Sequence, residues 1–116
     1  MESEFLQKTK QLKAYMLEAE KIYIHAKELD IHADFQTVVK PYADEIKQLA
    51  DEWLLLSDGW MNQHKPKYVN PVQIKNTYQN ILQVSVHCHI PESSKSRFMK
   101  HCKAVLFVLG QIDLES

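Results

Sequence analysis

The residues best suited to chemistry in this sequence are two groups of histidine and cysteine. The stretch SVHCHIP, residues 85–91, sets His87, Cys88 and His89 in a row, and His101 and Cys102 follow a few residues later. Imidazole nitrogens and thiolate sulfurs are the usual ligands of zinc, so the first question is whether these side chains can converge. On a helix, successive residues point about 100° apart, so the three neighbours fan around the axis and cannot close on one ion. Cys88 is expected to face the interior and His87 the solvent. Cys102 lies on the returning helix, level with residue 80 and about 12 Å along the bundle from Cys88, too far for a disulfide or a shared zinc. The di-iron pattern Glu-x-x-His is also missing, since none of the six histidines has a glutamate three positions before it. The cysteines therefore read as small buried apolar residues with free thiols. A weaker metal alternative gathers His25, His89 and His101 near the lower turns, where His32 and His87 also project and where a loosely held ion or a pH response has its place.

A second group is cationic and aromatic. His64, Lys65, Lys67 and Tyr68 sit on the joint KPKYVNPVQI, residues 65–74. Lysine ammonium groups beside an aromatic ring suit an anionic peptide or a phosphate, so this joint is the candidate site for a protein partner or an anion. Two other surfaces are less specific. Asp44, Glu45, Asp51, Glu52 and Asp58 make an acidic outer face on the second helix, and Leu6, Leu17 and Ile24 make a thin apolar stripe on the first, the basis for expecting a monomer or a weak homodimer.

The elements that must position these groups are helical. The chain has 116 residues with only two glycines, and prolines at 41, 66, 71 and 91 punctuate otherwise continuous helical periodicity. Ser3 caps a first helix running to about Leu29, with Leu12, Met16, Ala19, Tyr23 and Ala26 on its inner face. Asp34 caps a second helix that reaches about His64, with Phe35, Tyr42, Ile46, Leu49, Trp53, Leu56 and Trp60 inward. Pro41 lies inside that pattern and calls for a kink or a one-turn break. Pro66 pushes Lys65 towards an extended conformation and ends the helix. Asn70, Pro71 and Gln73 spell a capping box with a proline at the first helical position, and Val69 and Ile74 form the accompanying apolar staple. Helix three then carries Ile74, Tyr78, Ile81, Ser85 and Cys88 inward and stops before Pro91. Helix four carries Phe98, Cys102, Val105, Leu109 and Ile112. The result is an all-α, four-helix up-and-down bundle occupying residues 1–116 as one domain.

Helix length adds one further expectation. The second helix climbs about 45 Å and the third only about 27 Å from level lower turns. Lys65 to Val69 must therefore form an extended strap down the bundle side, with Tyr68 and Val69 pressed inward and the lysines outward.

Net charge is −1 with 25% charged residues, which offers no general attraction to nucleic acid or an anionic membrane. The N-terminus lacks the basic-then-apolar signal of secretion, no apolar run spans a bilayer, and a cytoplasmic protein is expected.

The segments DFQTVVKP (34–41), Glu52-Trp53, KPKYVNPVQI (65–74), SVHCH (85–89) and SRF (96–98) resemble the YppE-like family of small proteins from Gram-positive bacteria. The resemblance spans roughly residues 34–112. It implies a four-helix bundle of unknown function and carries no catalytic or cofactor residue. The residues themselves hold no paired acid and base, nucleophile elbow or phosphate-cradling loop, so a non-enzymatic helical interaction protein without cofactor is the leading expectation, and a small metal- or ligand-binding bundle is the alternative.

Overall fold

The computed structural model describes residues 2–116. Its helices are α1 (Glu4–Leu29), a π-helical turn (Phe35–Val39) leading directly into α2 (Lys40–His64), α3 (Pro71–His87) and α4 (Lys95–Glu115). Each helix packs on the next and α1 closes the ring against α4, an up-down-up-down bundle measuring 45 × 26 × 23 Å. The ends of α1 and α3 lie at the lower end with the start of α2 and α4. The strap between α2 and α3 lies at the upper end.

α1 is built as expected. Ser3 Oγ accepts the Leu6 N–H at 3.1 Å, and the buried residues Phe5, Thr9, Leu12, Met16, Ala19, Tyr23 and Ala26 alternate steps of four and three. That mean period of 3.5 keeps one stripe against neighbours that cross at shallow angles. α1 ends at Asp30, which adopts the left-handed conformation with φ 52° while the N–H of Ile31 closes on Ala26 O at 2.9 Å. Aspartate tolerates that region better than most residues with a Cβ.

Pro41 reshapes the entry to α2 without breaking it. Asp34 caps the π turn through Thr37 N–H, and Val39 and Lys40 donate to Asp34 O and Phe35 O, five residues back. Proline cannot supply an amide to the preceding turn, so the chain takes one wider turn and continues. The extra residue in that turn rotates the register. Phe35, expected in the core, is 57% exposed, and Val39 takes the inward place. Further along α2 the inner face carries Ile46, Ala50, Trp53, Ser57 and Trp60, with Tyr42, Leu49 and Leu56 half-buried.

The upper core is aromatic. Phe5 stacks on Trp53 with ring centroids 5.6 Å apart and packs at a tilt against Trp60 at 5.3 Å. Trp53 Nε1 donates to Thr9 Oγ1 at 2.9 Å, and that hydroxyl donates to Phe5 O, so the buried indole is satisfied. At the lower end Tyr23 stacks on Phe98 at 4.1 Å. Among the described residues no helix is long and apolar enough to cross a membrane.

Candidate functional site

The strap is pinned from three sides. α2 ends at Lys65, whose N–H closes on Met61 O at 3.0 Å with φ 46°. Lys65 is thus left-handed rather than extended, because the helix is terminated by a cap that turns the chain sharply off the axis, a manoeuvre an extended residue does not make. At the other end the capping box forms in full: Asn70 Oδ1 accepts the Gln73 N–H and Gln73 Oε1 accepts the Asn70 N–H, both at 2.9 Å. Val69 and Ile74 are both buried as the staple requires. Between them the Glu115 carboxylate, from the last turn of α4, accepts the N–H groups of Lys67 at 2.7 Å and Tyr68 at 3.2 Å.

This contact corrects the expected strap geometry. With its N–H turned to Glu115, Tyr68 projects outward and is 62% exposed, and only Val69 is pressed inward. Lys67 Nζ lies over the Tyr68 ring, 5.4 Å from its centroid, and His64 stacks on Trp60 at 5.4 Å. Among the described residues Lys65 and Lys67 have no carboxylate within ion-pair distance. The four candidate residues share one corner of the bundle. The backbone donors there are already satisfied internally, and the side-chain cations are not.

The acidic residues of α2 do not form one free outer face. Glu52 takes Lys8 Nζ at 2.8 Å, Glu45 takes the Tyr15 hydroxyl at 2.5 Å, Asp51 takes Lys47 at 2.9 Å and the Tyr78 hydroxyl, and Asp44 takes Lys40 at 2.6 Å. Glu45 and Glu52 tie α2 to α1, and Asp51 ties it to α3. The bond from Glu45 pushes the Tyr15 phenol up to about 12, and the Lys47 ammonium holds Asp51 below the usual carboxylate range. A groove of about 610 Å³ between α1 and α2 is lined by these groups, among them Lys8, Tyr15, Glu18, Glu45 and Glu52.

The histidines separate. His25 is exposed on α1, His101 is half-buried on α4, and His87 is half-buried at the end of α3. His89 is 8% exposed, packs edge-on against Tyr42 with centroids 4.9 Å apart, and leaves its Nε2 without a hydrogen-bond partner. The Tyr42 hydroxyl is likewise buried and unpartnered. Burial holds the His89 imidazole below its ordinary value, partly offset by the Glu18 carboxylate. His25, His89 and His101 do not form a ligand set. Among the described residues the one group of three whose ligand atoms approach is Asp30, His32 and Glu92, and it shares none of those three. Single-helix spacing hid it, because its members come from two loops.

Both thiols are free and buried, as the helix geometry requires. Burial pushes Cys88 up to about 12 and Cys102 to about 11, and the latter donates weakly to Met16 O. Burial thus disfavours the thiolate, the nucleophilic form, at both positions.

An all-α bundle of four helices joined by short loops and one pinned strap is the class of protein that the comparisons then specify. Residues 9–115 match the family described as "Bacterial domain of unknown function (DUF1798)", and the chain belongs to that family. It is similar to the crystal structure of yppE from Bacillus subtilis, with 25% identity over 96% of this chain and 90% of that one and a TM-score of 0.90. A protein of unknown function from Listeria innocua is 26% identical over 95% of this chain and 88% of its own, with a TM-score of 0.89. A DUF1798 domain from Staphylococcus aureus, 23% identical over 96% and 94%, shares the fold with a TM-score of 0.87. No curated protein matches the sequence. The family's function is unknown.

Proposed function

We propose that the protein is a non-enzymatic interaction module of the bacterial cytoplasm that docks an acidic protein segment on the strap corner formed by His64, Lys65, Lys67 and Tyr68. The observation that carries this reading is the exposed Tyr68 ring with the Lys67 ammonium over it, on a backbone already fixed by Glu115 and the capping box. A rigid aromatic anchor and nearby unpaired cations bind at low ordering cost, and interface hot spots are enriched in such groups. The strap amides are satisfied by Glu115, so an external phosphate finds no backbone cradle there. Side-chain cations favour a carboxylate-bearing peptide instead.

The test places a photo-crosslinking residue at Tyr68 in living cells and repeats the experiment with Lys65→Glu and Lys67→Glu together. The reading expects discrete crosslinked species that the double variant loses while its circular dichroism and melting stay unchanged. The same species with the double variant would make the strap a structural joint only. The same proposal keeps the chain a monomer or weak dimer, because Leu17 and Ile24 are only 47% and 37% exposed and Leu6 is half-buried.

A further inference from the structure

The lower end holds a buried titratable group that the strap reading leaves unused. His89 lies in the turn that follows α3 and is 8% exposed. Its ring packs edge-on against Tyr42 at the start of α2, and its Nε2 is sealed from water without a hydrogen-bond partner. A neutral imidazole has a single N–H, so its other nitrogen can stay a bare lone pair. The imidazolium carries two N–H donors and a charge, and a buried charge without a partner costs far more than a neutral polar atom. The closed turn therefore favours the neutral ring.

The groups around the ring do little to change that preference. Burial holds the imidazole below its ordinary value, and the Glu18 carboxylate of α1, itself exposed, offsets burial only in part. Burial also raises the Tyr42 phenol of α2 and pushes the neighbouring Cys88 thiol up to about 12, so both are uncharged at neutral pH. His32 and Glu92 share with His89 the lining of a cleft of about 250 Å³, and both are exposed. Among the described residues α4 contributes nothing to that lining.

Movement is confined to a short piece of chain. Downstream, the Tyr23 hydroxyl donates to Ser93 O at 2.5 Å and Lys27 Nζ donates to Pro91 O at 3.0 Å. Upstream, α3 holds the chain as far as His87. Between these anchors the His89 N–H donates to Val86 O at 3.1 Å and the Ile90 N–H to His87 O at 3.0 Å. Turning His89 outward breaks those two bonds and brings the ring to the open cleft beside Phe35 and Ile90.

We propose that the turn between α3 and α4 is an acid-released latch, in which protonation drives the His89 ring out from beside Tyr42 and opens the lower end while the upper end stays closed. The open turn takes up its proton at the ordinary histidine value of about 6.5, and the closed turn does so at a lower pH. The opening equilibrium is therefore flat above about pH 6.5 and rises as pH falls below it, by at most about tenfold per pH unit, until the closed form is protonated too. The latch lies at the opposite end from the strap corner and stands whether or not that corner binds a partner.

The experiment is native-state amide hydrogen exchange on the full-length protein between about pH 7.5 and about pH 5, corrected for the intrinsic pH dependence of exchange. Protection at His89 and Ile90 should fall several-fold below about pH 6.5, while the capping-box amides of Asn70 and Gln73 keep theirs. The core amides of Met16 and Val105 should stay better protected than the turn at every pH, which makes the opening local. His89→Phe should abolish the fall. Glu18→Gln, an exposed change, should deepen it, because the carboxylate that offsets burial is gone. Protection at His89 and Ile90 that does not change with pH, or a fall that persists in His89→Phe, overturns the latch. Turn amides as protected as the core would also overturn it, since the ring would then leave only when the whole fold does. Should His89→Phe not fold, Glu18→Gln decides, and a fall no deeper than the parent's overturns the assignment.

Discussion

The two ends of this bundle treat their polar groups differently. At the upper end, Glu115 accepts two strap amides, Trp60 Nε1 donates to Ser116 Oγ at 3.1 Å, Trp53 Nε1 reaches Thr9, and the capping box is closed in both directions. At the lower end the loops are held as firmly, through Tyr23 and Lys27, but His89 Nε2 and the Tyr42 hydroxyl are buried without partners. The contrast teaches that order and satisfaction are separate properties. A well-ordered region can retain hydrogen-bonding capacity, and that capacity is where a small ligand has something to gain.

The sharpest way to break the comparison is at the aromatic stack. Trp53→Ala removes the ring that packs on Phe5 and is expected to cost about 3–5 kcal/mol in urea unfolding, read as a lower midpoint with an unchanged slope. A midpoint near that of the parent would mean that the upper end does not depend on its stack. Next is pH. Because burial lowers the His89 value in the folded protein, the unfolded chain takes up the proton first as pH falls. This contribution is full above about pH 6.5, the ordinary histidine value, and is lost progressively as pH drops below it towards the lowered folded value. The stability of His89→Phe should fall less over that window, by the share His89 contributes, in thermal melts at stepped pH. An unchanged profile would show that the unpartnered nitrogen is without thermodynamic consequence.

A smaller effect is expected at Glu115. Its bonds to the strap are solvent-accessible, so Glu115→Ala should cost about 1 kcal/mol and speed amide exchange at Lys67 and Tyr68. Unchanged exchange there would leave the Lys65 cap and the capping box as the restraints on the strap. Smallest are the two helical glycines. Space around the position of a Cβ at Gly59 and at Gly110 is open, so alanine at either should raise stability by about 0.5–1 kcal/mol in the same unfolding assay.

Much of the bundle was legible because its signals are local. The cap at Ser3, the box at Asn70 and Gln73, and the four-three stepping from Leu12 to Ala26 depend only on neighbours within one or two turns. Phe35 was misplaced because a proline's effect on the preceding turn has two outcomes, a break or a widened turn, and they differ by one residue of register. Tyr68 was misplaced because its orientation is set by Glu115, 47 positions away. The same limit applies to the sites. His64, Lys65, Lys67 and Tyr68 are contiguous and visible as a group, whereas Glu92 meets Asp30 and His32 only after four helices have packed.

The bonds at Glu115 also bear on the order in which the protein is completed during synthesis. The strap amides are made 48 and 47 residues before the carboxylate that receives them, and Trp60 waits 56 residues for Ser116. While the ribosome is still adding α4, the capping box can set one side of the strap, but the segment carrying Lys67 and Tyr68 keeps its amides free in water. The backbone under Tyr68 therefore becomes fixed only after the last turn of α4 has left the exit tunnel, and the nascent strap is looser than the folded one.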